Sequence, residues 1–167
     1  MKFGAMFDPR AKLGNAWFAQ SNVEGEPGIW KFEDGQSPVK IAAGIYGNQV
    51  LTADGKWLIA KKTIQSEDNY ETRLVRIQLP SGREFPINLA QTNDLFPVAH
   101  IAAHNKLLLS QYQYQYRPDV SGGNFYLLDA ATGMTQPVKG EFRPLMNAFN
   151  RPLQATDKPN EFWAALH

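Results

Sequence analysis

A chain of 167 residues is long enough for one domain with a true core and short for two. Its 43% hydrophobic and 20% charged residues exclude disorder, and seventeen basic against sixteen acidic side chains exclude a strong field aimed at nucleic acid or an anionic membrane. The absence of cysteine excludes disulfides and thiol chemistry, and no window holds the run of about eighteen apolar residues that a spanning helix needs.

In chain order, the opening "MKFGAMF" is a short apolar run broken at Asp8-Pro9, which reads as strand and turn and not as a secretory leader. Short apolar runs follow, rich in aromatic and branched residues and bounded by Gly, Pro, Asn and Asp, with no amphipathic helical period between them. That pattern predicts an all-β meander. A first group of strands is expected at "KFGAMF" (2–7), "NAWFAQ" (15–20), "GIWKFEDG" (28–35) and "SPVKIAA" (37–43). A second falls at "NQVLTAD" (48–54), "GKWLIA" (55–60), "TRLVRIQLPSG" (72–82) and "REFPINL" (83–89). The third comprises "VAHIAAH" (98–104), "NKLLLS" (105–110), "NFYLLDAATG" (124–133) and "MTQPVKG" (134–140). A fourth begins with "RPLQATD" (151–157) and "NEFWAA" (160–165).

The groups are self-similar. Each second strand opens on a turn residue and then places a large apolar side chain at an aligned position, Trp17, Trp57, Leu107 or Phe162, and Trp57 is expected to pack between units. Third strands close on Gly35, Gly82 and Gly133, and each fourth strand carries Pro, which suits a sheet edge because Pro cannot donate to a ladder. Four antiparallel strands in roughly 40–55 residues are the content of a propeller blade.

"LTADGKWLIA" with "LVRIQLPSG", and "NKLLLSQ" with "YLLDAATG", resemble TolB-type and WD-type β-propeller repeats. Those repeats carry a small-Asp-Gly-Lys-aromatic turn after the first strand and an Asp-x-x-x-Gly turn after the third. Here the run Asp54-Gly55-Lys56-Trp57 occurs once, and no Gly-His…Trp-Asp signature is present, so the chain departs from the strict WD pattern. The resemblance implies blades at about 1–43, 47–90 and 97–140 and a half-blade at 150–167. A β-sandwich with similar turns is the alternative architecture.

Three and a half blades do not close a ring, which takes about four to eight. Either the chain is part of a longer one, or copies complete the ring between them. A homo-oligomer, most simply a twofold dimer, is therefore expected.

Chemistry is sparse. No nucleophile elbow, phosphate loop, zinc pattern or EF-hand occurs, and no cofactor or metal is implied. His100 and His104 of "HIAAH" would lie about 13 Å apart on an extended strand, too far for one metal ion. "SQYQYQYRPDVSGGN" sets Tyr112, Tyr114 and Tyr116 on one strand face, and with Arg117 they are candidate binding residues. "KKTIQSEDNYETR" (61–73) reads as a polar loop offering Lys61 and Lys62. Blade-to-blade packing of the tyrosines and a solvated hairpin tip are the structural readings of these stretches. Two functions follow: a non-catalytic binding module for a protein or carbohydrate partner, or the propeller portion of an enzyme, such as a gating domain of a serine peptidase or a carbohydrate-active lyase or hydrolase. Nothing in the sequence assigns a compartment.

Overall fold

The computed structural model describes residues 9–89, 92, 95–101, 105–111, 125–138, 154–155 and 162–163. Their fold is all-β, with no α-helix among them and one short 3-10 turn at Pro9–Ala11. Three four-stranded antiparallel sheets follow one another along the chain. The first joins β1 (Lys12–Leu13), β2 (Ala16–Val23), β3 (Glu26–Glu33) and β4 (Val39–Ala43) in sequential order. The second joins β5 (Ile45–Leu51), β6 (Trp57–Ser66), β7 (Asn69–Gln78) and β8 (Glu84–Pro86). The third joins β9 (Leu95–Ile101), β10 (Lys106–Gln111), β11 (Phe125–Leu128) and β12 (Thr135–Pro137). A two-stranded pair, β13 (Gln154–Ala155) with β14 (Phe162–Trp163), completes the described strands.

Two expectations change. The strand beside β2 is Lys12–Leu13, while the segment expected there, 2–7, lies outside the described residues. The polar loop expected at 61–73 is instead the body of the β6–β7 hairpin, paired without a bulge from Trp57↔Gln78 to Ser66↔Asn69. Its polar residues misled because the strand formers Thr63, Ile64, Tyr70 and Thr72 stand among them on a partly solvated ribbon, and only Glu67 and Asp68 turn the chain.

Packing explains why the central strands read as unbroken apolar runs. On the second sheet, Leu58, Ala60, Val75 and Ile77 join one core with Phe18 and Ile29 of the first sheet. The intervening Ile59 and Leu74 point the other way, into a core with Leu107, Leu109 and Leu128 of the third. Alternate residues on one strand therefore serve two cores, and a strand buried on both faces loses its polar alternation. Each such Leu or Ile contributes about 1.5–3 kcal/mol by leaving water.

Glycines set the close approaches. At Gly82 (φ +72) an added Cβ would stand 1.9 Å from the Ile41 carbonyl oxygen of β4, so the β7–β8 turn presses on the preceding sheet. At Gly133 (φ +76) it would meet the Arg76 guanidinium at 2.9 Å. The two turns are built alike. Gly82 N donates to Gln78 O (2.8 Å) and Gln78 N to Arg83 O (2.9 Å), while Gly133 N donates to Asp129 O (2.8 Å) and Asp129 N to Met134 O (2.9 Å).

Candidate functional site

The run Asp54-Gly55-Lys56-Trp57 proves to be a scaffold. Thr52 Oγ1 donates to Asp54 Oδ1 (2.6 Å) and Lys56 N donates to the same oxygen (3.0 Å). The Thr52 bond, then the Lys56 amide, holds the Asp54 carboxyl below its ordinary value. Trp57 packs toward the third sheet, edge-on to Phe85 with ring centroids 5.6 Å apart. Arg76 stacks over both rings, at 5.1 and 5.4 Å.

Solvent-facing chemistry gathers elsewhere. β8 pairs only with Val75, Arg76 and Ile77, so β7 runs on beyond it, and an open cleft of about 740 Å³ lies along that outer edge. Its wall carries Lys62, Glu71, Arg73 and Glu84 together with apolar residues such as Ile64, Val75 and Leu89. Lys62 and Arg73 are direct cross-strand partners, so two cations stand side by side. Each has its own carboxylate: Lys62 Nζ lies 2.6 Å from Glu84 Oε1, and Arg73 Nη2 lies 3.1 Å from Glu71 Oε1.

Glu84 is fixed from a second side. The Tyr46 hydroxyl donates to Glu84 Oε1 and also lies 3.1 Å from the Ala43 carbonyl oxygen. Burial, then the bond to Glu84 and its negative charge, push the Tyr46 phenol above its ordinary range. Lys62 Nζ lies 5.7 Å from the Tyr46 ring centroid. By contrast, the Arg73–Glu71 pair is about half exposed, with side chains 51% and 50% accessible, so opening it costs little.

Of the residues singled out in the sequence, Lys62 lines this cleft. Lys61 faces the opposite way: it is 8% exposed, donates to Leu95 O (3.1 Å) and lies 3.6 Å from the Phe96 ring centroid. Successive side chains leave a strand on opposite faces, so only Lys62 of the two reaches the cleft. Tyr112, Tyr114, Tyr116 and Arg117 lie outside the described residues, as does His104. His100 Nε2 sits 3.2 Å from Asn105 Oδ1. Among the described residues no three His, Asp or Glu side chains gather as metal ligands, and no helix is long and apolar enough to cross a membrane.

Sequence reasoning did not single out Tyr46, Arg73 or Glu84. Tyr46 and Glu84 lie 38 positions apart, and only the strand register brings them together. Comparison with protein-family models and with curated protein sequences gives no match.

Proposed function

We propose that the chain is a partial β-propeller, three four-stranded blades and the inner half of a fourth, serving as a non-catalytic binding module for a protein or carbohydrate partner. The observation that carries this reading is the stacking. Four-stranded meanders follow one another in the chain, and the middle one feeds alternate residues into a core with each neighbour. Face-to-face stacking of successive sheets is how blades pack in a propeller. The like-built turns at 78–82 and 129–133, each pressed against the preceding sheet, support the same reading. On this reading the remaining blades come from a second copy, as a dimer, or from a longer chain.

The ring is tested by light scattering and single-particle imaging of the purified protein. A dimer whose images show a disk of radial blades is the expected result. A stable monomer with two sheets packed as a sandwich would overturn it. Binding is tested by probing peptide and glycan arrays with the protein and with the Arg73→Ala variant as control. Capture that depends on Arg73 supports the module and places its site at the cleft.

A further inference from the structure

Resting on the binding-module reading, we infer that the cleft beside β7 takes a zwitterion of amino-acid or short-peptide type. Its carboxylate meets Arg73 and Lys62, its ammonium meets Glu71 and Glu84, and its apolar side chain lies against Ile64 and Leu89. The charge pattern selects this class. The cleft holds two cations and two carboxylates in two ion pairs, so its charges sum to zero. A purely anionic ligand that took both cations would leave Glu71 without its cation and Glu84 with the neutral Tyr46 hydroxyl alone, and a purely cationic one would strand Lys62 and Arg73. The larger cost falls on the more covered pair, Lys62 and Glu84, whose side chains are 26% and 32% accessible, since a charge stranded there is only partly reached by water. A ligand carrying both charges exchanges partners without stranding any.

The geometry adds an order of events. Glu84 is tied by Lys62 and Tyr46, so it stays in place. Glu71 and Arg73 are half exposed, so their pair is the one that opens. Arg73 then turns two donors of its planar fork onto the incoming carboxylate, which Lys cannot imitate. At about 740 Å³ the cleft falls within the usual size of small-molecule sites, roughly 300–1,000 Å³.

Two other ligand classes fit less well. A sugar wants an open aromatic face, yet Phe85, the aromatic residue lining the cleft, is engaged by Trp57, Arg76 and Arg83. A long peptide laid along β7 as an added strand wants its edge amides, yet Leu74 N already donates to Thr92 Oγ1 (3.2 Å).

The test is a titration of the full chain with the dipeptide Ala-Leu, its N-acetyl derivative and its C-terminal amide, followed by calorimetry and amide NMR shifts. The free dipeptide should bind with shifts centred on residues 62–75 and 84–92. Each capped form should bind about tenfold or more weakly, because each has lost one charge. Arg73→Ala should weaken the free dipeptide by a similar factor without moving the melting temperature, and Arg73→Lys should restore only part. Glu84→Gln should weaken it too, and circular dichroism of that variant separates loss of binding from loss of fold. Equal binding of the capped forms, indifference to Arg73→Ala, or no binding of any probe overturns the inference. The two claims fail separately. Disk-shaped particles that bind no dipeptide sink the inference and leave the propeller standing. Dipeptide binding by a protein that forms no ring does the reverse.

Discussion

Replacing Arg76 with Met keeps most of the side chain's volume and removes its guanidinium. The residue is 6% exposed, and its donors reach Pro86 O (2.9 Å) on β8 and Ala130 O (2.8 Å) and Ala131 O (3.1 Å) on the β11–β12 turn. Burial lowers its pKa from the ordinary arginine value, opposed by the Asp129 charge; the ordinary value is so high that a guanidinium stays protonated near neutral pH all the same. Three bonds from a charged donor are worth about 1.5–3 kcal/mol each. Stacking over the two rings adds about 0.5–2 kcal/mol. Against these stands a desolvation cost of several kcal/mol for the ion, which Met escapes. Met in turn leaves carbonyls short of a donor, at about 1–3 kcal/mol for each one that water cannot reach. The balance predicts a loss of about 3 kcal/mol, read by urea unfolding with an unchanged m-value. Amide exchange should rise at 129–133 more than at 52–56, because the variant loosens the junction between the second and third sheets. A loss below about 1 kcal/mol, or exchange that rises equally in both turns, would refute the claim that Arg76 joins the sheets.

Trp57→Ala should cost about 3 kcal/mol by the same assay, at the low end for a large aromatic because the ring is only partly buried. Gly82→Ala should be far worse than Gly14→Ala. Both glycines have positive φ, but a Cβ at Gly82 meets Ile41 O at 1.9 Å whereas one at Gly14 meets nothing within 4 Å; equal melting temperatures would refute the close approach. In acid, Asp54 and Asp129 both titrate below the ordinary 3.8. At Asp129 burial pulls the other way and is outweighed by Lys106 and the Thr132 and Ala131 amides. A depressed folded-state pKa gives stability that is present above the unfolded value and lost as pH falls through the folded one. Unfolding below about pH 4 should therefore be blunted in the Asp54→Asn, Asp129→Asn double variant. In alkali the sign reverses at Tyr46: its raised pKa means stability declines as pH climbs above about 10, and Tyr46→Phe should flatten that limb.

Much of the architecture was legible because turn chemistry is local. The two-residue turn Glu24-Gly25, both with positive φ, joins Val23 to Glu26 as a tight hairpin, and the Gly82 and Gly133 turns sit where the sequence put them. Pro86 and Pro137 lie in edge strands, as their missing donors require. The chain between 61 and 73 was misread because its polar residues said loop, whereas pairing across ten residue pairs decides the matter, and pairing is not a local property. The cleft was hidden for the same reason. Lys62 could be named from its neighbourhood, but its carboxylate, Glu84, is 22 positions away and is delivered by the β7–β8 connection.

The cleft's position follows from the burial pattern. A sheet covered on both faces can present polar groups to water only at its strand ends and edges. In the second sheet one edge is spent: β5 lies against β9 and against the 3-10 turn at 9–11. That leaves the β8 edge, and β8 is three residues long beside a ten-residue β7. The mismatch uncovers the flank of β7 where Glu71 and Arg73 stand, while Lys62 reaches in from β6 and the buried Tyr46 on β5 holds Glu84 through its hydroxyl. Lengthening β8 to match β7 would close the cleft without touching either core. The short strand is thus the feature that opens a solvent-facing cleft on a packing element.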